Sequence, residues 1–264
     1  MLKVEDHIML GGGLVKVFVP KVNYYINLLQ NNNLYFFKMN HAWWQYLAGM
    51  RFWIAQYNKY HDKELMEEVK SIIGNIHETD IIMAVSNIGP LYDIGKNKKR
   101  DTILEKIILQ YMPKNYQPHF GGIWKKYSLD KSINKFFESV KNFQITVVGF
   151  EHLQELKQSL NFDNFNFYKL SYDSSRNEKR HKVLSDLLEI ANSNNYRKVF
   201  LIQAGELFAT WLVYHLRKNV SNHVCSFVDM GRALDMFCPN RTFHEDIRKF
   251  GFYDFKKQLW MGRK

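Results

Sequence analysis

Two cysteines, Cys225 and Cys238, stand in a chain of 264 residues. That is too few for a disulfide scaffold, and their spacing is not that of zinc ligands, so both are expected as buried free thiols. Prolines number 5 and no Pro/Ser-rich stretch interrupts the chain, which leaves no candidate linker. Residues 1–264 therefore read as a single α/β domain: a less regular half over 1–142, a more regular half over 143–245 and a basic tail over 246–264. No run approaches the roughly 18 consecutive apolar residues of a membrane span. The N-terminus places acids and glycines where a signal peptide needs a basic and then an apolar stretch. A soluble cytoplasmic protein is expected. Neither the G-x-G-x-x-G fingerprint nor a G-x-x-x-x-G-K-[ST] loop occurs anywhere, so NAD-type and P-loop chemistry lose their usual support. Acidic residues are the minority, 26 against 37 Lys and Arg, for a net charge of +11. This balance suits a phosphate-bearing partner or a peripheral membrane contact through a basic surface. Nucleic acid is not expected, because no helix-turn-helix, zinc or RNP signature accompanies the charge and many aromatics fall at core spacing.

Hydrophobic residues make up 46% of the chain, enough for a full core. Their period is clearest in the C-terminal half. The apolar run 200–203 ends at Ala204-Gly205, after which Leu207, Phe208, Trp211, Leu212 and Leu216 recur at helical spacing. Residues 144–148 form a similar strand, closed by Gly149 and followed by a helical pattern over 151–160. A strand at 167–170, a helix at 178–194 and a strand at 224–228 complete a β-α-β-α-β-α-β order. Such an order implies a Rossmann-like, mostly parallel sheet flanked by helices, with right-handed crossovers. The N-terminal half reads as helices over 22–29, 41–60, 64–73, 100–111 and 129–140, with strands at 34–37 and 81–85. Residues 119–124 read as a loop between the last two helices, so His119 and Trp124, with Asp93 and Lys96 in the preceding loop, are candidates for a substrate wall.

Ligands of open α/β sheets sit beyond the carboxyl ends of the strands. Gly149, Gly205, Asp229, Gly231, Arg232, Asp235, Arg241 and His244 all follow such ends. Carboxylates there can accept sugar hydroxyls or deprotonate an acceptor, and arginine offers a bidentate fork to phosphate. The structural alternative is that the glycines simply turn the chain, Asp229 caps its turn, and Asp235 pairs with Arg241. Glu206 suits the dipole of the helix it opens but would repel an anion there.

The blocks Phe36-Phe37-Lys38-Met39-Asn40-His41-Ala42-Trp43-Trp44 with Gly49, residues 81–95, Ile145-Thr-Val-Val-Gly149 with His152-Leu153, residues 201–205, and Asp229-Met-Gly231 with Asp235 resemble, in order and spacing, those of the GT-D type glycosyltransferases of bacterial and viral glycan assembly. The resemblance spans residues 20–245. It implies a nucleotide-sugar donor, a glycan or glycolipid acceptor, and a place in the cytoplasm, a host's in the case of a viral member. The first block resembles R-[YF]-G-D-G-E-W followed by Gly, whose two acids are associated in the family with a divalent metal and the donor diphosphate. Aligning Trp44 and Gly49 sets Lys38 on the Arg, Asn40 and Ala42 on the glycines, His41 on the Asp and Trp43 on the Glu. Both acids are gone. His-x-Trp offers Mg²⁺ or Mn²⁺ at most one imidazole, so no cofactor is required on this reading and a divalent cation finds no support in the motif. The family also tends to Gly-Pro where this chain has Gly149-Phe150 and Gly205-Glu206. The resemblance implies Asp229 and Asp235 as catalytic carboxylates, one or the other serving as the base. Lys38, Asn40, His41, Trp43, Gly149, Gly205, Gly231, Arg232, Arg241 and His244 would line the donor, with Trp43 stacking on a base or sugar. The alternatives are a non-catalytic nucleotide- or glycan-binding descendant of the fold, or a basic nucleic-acid-binding protein.

Overall fold

Strands of the regular half run into helical turns through Gly149 and Gly205, and the apolar runs before them become buried strands of one nine-stranded sheet in the computed structural model, which describes residues 6–86, 98–221 and 224–238. The strands are β1 (Asp6–Met9), β2 (Lys16–Val19), β3 (Tyr35–Met39), β4 (Ile82–Val85), β5 (His119–Phe120), β6 (Gln144–Gly149), β7 (Phe165–Lys169), β8 (Lys198–Ile202) and β9 (Cys225–Asp229). Their order is β1-β2-β5-β4-β3-β9-β8-β6-β7, and every pairing is parallel except β1 with β2. The two halves of the chain meet where β3 pairs with β9, Tyr35 opposite Phe227 and Phe36 opposite Val228. The fold is the expected α/β, Rossmann-like one.

The helices are α1 (Val22–Asn31), α2 (His41–Leu47), α3 (Arg51–Tyr60), α4 (Lys63–Gly74), α5 (Lys98–Tyr111), α6 (Ile123–Leu129), α7 (Ile133–Val140), α8 (Leu156–Leu160), α9 (Asn177–Asn192) and α10 (Glu206–Asn219). Helix α10 packs on β3, β9, α4 and α9, while α7 packs on α1 and α6. The period of two in β3 assigns its side chains to these layers. Met39 meets Thr210 of α10, whereas Phe36 lies edge-on to Tyr25 of α1 and Trp124 of α6. Lys38, two residues from Phe36, is thereby turned to the α6 side. Cys225 and Cys238 are buried free thiols. No helix among the described residues is long and apolar enough to cross a membrane.

Four expectations are corrected. The helix read over 41–60 is two, α2 and α3, because Gly49 takes φ +77° between them, a backbone state that L side chains avoid. The helix read over 129–140 begins only at Ile133, and Lys131 at φ 61° separates it from α6. Residues 151–160 open as a 3-10 turn, Glu151–Glu155, before the short α8. The loop read over 119–124 is strand β5 running into α6. His119 there is 7% exposed and accepts or shares a hydrogen bond with the Tyr25 hydroxyl, Nδ1 to Oη 2.7 Å, and burial holds its imidazole down at about 4. Trp124 is buried among Tyr25, Phe36, Tyr127 and Phe136. Both residues belong to the core and form no substrate wall.

The hairpin β1–β2 was absent from the sequence reading. Its glycine turn is held from a distance: Glu105 of α5 accepts the backbone N–H groups of Gly12 (2.5 Å), Leu14 (2.6 Å) and Val15 (2.9 Å).

Candidate functional site

In the order β9-β8-β6-β7, the connection leaving β6 runs outward to β7 and the one entering β8 returns to the other side of β6. A second reversal lies at β3, whose onward connection goes to β4 while β9, on its other flank, is entered from β8. Crevices open beyond the carboxyl ends of strands at such reversals. One crevice receives Lys38 from β3 and Asp229 from β9. The other receives Gln203, the residue after β8, and His152, three residues past the end of β6. A 3-10 helix, Gly231–Phe237, follows β9 and joins them, packing on α6 and α8.

Asp229 is the pivot of the first crevice. Its carboxylate accepts the backbone N–H of Lys38 (Oδ2, 3.3 Å) and of Gly231 (Oδ1, 2.9 Å). The side chain is 2% exposed. Burial pushes its pKa up to about 6, with the Lys38 ammonium and the two N–H bonds pulling back. Lys38 crosses directly over Gly231, whose φ of +48° and missing Cβ leave the room.

Asp235 anchors the second crevice and is fully buried. Its Oδ1 accepts from Gln203 Nε2 and from His152 Nε2, both at 2.8 Å, and its Oδ2 from Arg232 Nε at 3.3 Å. A carboxylate so engaged orients the three side chains around it. Gln203 is itself 5% exposed, and its Oε1 makes no hydrogen bond among the described residues. Gly149 is required by close packing, since a Cβ there would lie 2.4 Å from Leu153 Cδ1 and 3.1 Å from the Gln203 carbonyl oxygen.

Lys125 of α6 completes the arrangement. Burial depresses its pKa to about 8, and the charges of Lys38 and Arg232 depress it further against the opposing pull of Asp235. Neither the Lys38 nor the Lys125 ammonium forms a hydrogen bond or ion pair among the described residues. Lys38 is nonetheless only 6% exposed. Three cations thus stand against two carboxylates. Two lysine ammoniums beside the Arg232 guanidinium, which is held by Asp235, fit an anion with several oxygen acceptors.

The structure therefore brings together Lys38, Asp229, Gly231, Arg232 and Asp235 from the expected set. Asn40, which precedes α2, donates its backbone N–H to Glu206 Oε2 at 2.6 Å, so the acid that opens α10 also serves the start of α2. Gly205 precedes α10 with φ +78°. His41 opens α2. Trp43 is fully buried and stacks on Tyr46 at 5.0 Å, so the expected stacking on a base or sugar is closed to it. Asp93, Lys96, Arg241 and His244 lie outside the described residues. Lys125, His152 and Gln203 were missed as site residues. The last two carried a signal, being placed just past strand ends, whereas Lys125, next to Lys126, carries no local mark in the sequence.

A hard divalent cation does not fit these groups. Both oxygens of Asp229 already accept N–H donors, and the block His41-Ala42-Trp43 offers an indole buried in the core and no carboxylate. No protein-family model, curated protein or solved structure matches the chain.

Proposed function

We propose that this protein is a glycosyltransferase that takes a sugar from a nucleotide-activated donor and passes it to a hydroxyl of a glycan or lipid-linked acceptor, without a divalent metal. The observation that carries the reading is the convergence of Lys38, Lys125 and Arg232 at the carboxyl ends of the parallel strands. Departure of a nucleoside diphosphate leaves charge on phosphate oxygens, and preorganised cations in a water-poor crevice neutralise it where a metal otherwise would. Lys38 and Lys125 bind as point charges, and Arg232 contributes guanidinium donors. Asp229 receives the proton of the attacking hydroxyl; a carboxylate titrating at about 6 is close to the operating pH that favours a general base. Asp235 positions His152, Gln203 and Arg232. The acceptor oxygen then bonds the anomeric carbon as the bond from that carbon to the phosphate oxygen breaks, the diphosphate carrying away the electron pair.

The test is calorimetric titration of the full chain with nucleoside diphosphates and their sugar conjugates in EDTA, followed by an assay of sugar transfer or donor hydrolysis. Binding and turnover that survive EDTA and are lost in Lys38→Met support the reading. Binding without turnover on any donor would make the chain a nucleotide-binding descendant of the fold. Binding of a single-stranded oligonucleotide but of no nucleoside diphosphate would overturn the proposal.

A further inference from the structure

Tyr172 is 82% exposed, and its hydroxyl makes no hydrogen bond among the described residues. Its ring nevertheless has a fixed neighbour: it lies against Phe150, centroids 5.0 Å apart and planes inclined by 33°. Phe150 immediately follows β6, and Tyr172 comes three residues after β7, so the pair crowns the carboxyl end of the sheet at its outer edge. The row that leads to it is continuous. Arg232 Nε meets Asp235 Oδ2 at 3.3 Å, Asp235 Oδ1 meets His152 Nε2 at 2.8 Å, and His152 is two residues beyond Phe150. From β9 to β6 the sheet takes two steps of about 4.8 Å and to β7 three, which sets the ring pair roughly 10–14 Å along the strand ends from Asp229.

We infer that Phe150 and Tyr172 form a shelf on which the planar base of a nucleoside diphosphate stacks while its phosphates lie on Lys38, Lys125 and Arg232. The inference rests on the phosphate-binding role given to those cations and names the other end of the same ligand. An aromatic face held by a neighbouring ring loses little freedom on binding, and stacking accepts any base because each has a π-face. The polar side chains beside the shelf are engaged with one another: Glu151 pairs with Lys169 at 2.9 Å, and Asp173, next to Tyr172, accepts from Ser171 and pairs with Lys179. Stacking is the contact this edge has to offer. That favours a base over a hexose, whose recognition needs polar groups around the ring.

The experiment compares the full-length wild type with Tyr172→Ala and Tyr172→Phe by isothermal titration with inorganic pyrophosphate, UDP, ADP and GDP. Exposure of Tyr172 makes both variants safe for folding, which a thermal melt checks. The expected result is that nucleoside diphosphates bind the wild type more tightly than pyrophosphate does. Tyr172→Ala should lower their affinity by about tenfold or more, leaving pyrophosphate affinity unchanged, while Tyr172→Phe retains wild-type binding. Unchanged nucleoside diphosphate affinity in Tyr172→Ala overturns the shelf and leaves the phosphate site standing. Failure of pyrophosphate and all three nucleotides to bind the wild type overturns both.

Discussion

The Lys38 side chain occupies the space that residue 231 would need for a side chain of its own: a Cβ built on Gly231 would lie 2.0 Å from Lys38 Nζ and 2.3 Å from Cε. Gly231→Ala therefore carries two costs. Alanine at φ +48° loses about 1–2 kcal/mol of stability, and the Lys38 ammonium must swing aside to make room for the methyl group. The variant is expected to fold, with a lower midpoint in urea, and to bind pyrophosphate at least about tenfold more weakly, a loss of ~1.4 kcal/mol. Wild-type affinity in a folded Gly231→Ala would detach Lys38 from the anion site.

Two titrations frame the pH dependence of turnover. Asp229, at about 6, must be ionised to accept a proton, so the rate rises as pH climbs through that value. Lys125, at about 8, must stay charged to hold phosphate, so the rate falls as pH passes it. A bell between those limbs is expected in kcat/KM. Lys125→Arg should push the alkaline limb upward, because a guanidinium keeps its proton; an unmoved limb would remove Lys125 from the site.

Lys125 also links binding to stability. Its folded pKa lies below its unfolded value, so the folded state binds fewer protons between about 8 and the ordinary lysine range, and stability rises with pH across that window. Below it the buried charge is a standing cost. Lys125→Met should raise the melting temperature of the ligand-free protein at pH 7, flatten its rise toward alkaline pH and abolish pyrophosphate binding, the trade expected where function demands an unfavourable charge. A lower melting temperature would show that the ammonium has a structural partner.

Asp235 differs from a surface ion pair, the role its spacing from Arg241 suggested. It is fully buried with three donors directed at it. Asp235→Ala leaves those donors without an acceptor, and a cost of about 1.5–3 kcal/mol is expected from urea denaturation. A change under 0.5 kcal/mol would return Asp235 to the ranks of surface groups.

Most of the parallel sheet was legible because its determinants are local. Residues 144–148 and 200–203 end at glycine, and the period changes there within a few residues. The gathering of Asp229, Arg232 and Asp235 followed from the rule that strand ends converge, while Lys38 was reached only through the resemblance. What escaped depends on partners remote in sequence. Strand β5 is two residues long and exists through pairing with β2 and β4. The turn before β2 closes on Glu105, some ninety residues away. Trp43 and Trp124 looked like ligand-facing rings because an indole carries no local mark of burial. Lys125 is set apart from Lys126 only by the side of α6 it occupies, Lys126 reaching out to Asp130 at 3.3 Å.

The carboxylate of Glu105 seated among the N–H groups of Gly12, Leu14 and Val15 has a consequence for the protein during its own synthesis. The β1–β2 hairpin has no partner for those amides until α5 has followed it from the ribosome, and β2 lacks its second, parallel neighbour until β5 has. Strand β3 likewise lacks one flank until β9, near the far end of the chain, has been made. Vectorial folding from the amino terminus, the common habit of growing chains, is thus barred by the strand order itself. Strands β1, β2 and β3 wait for later residues before they find their place in the sheet.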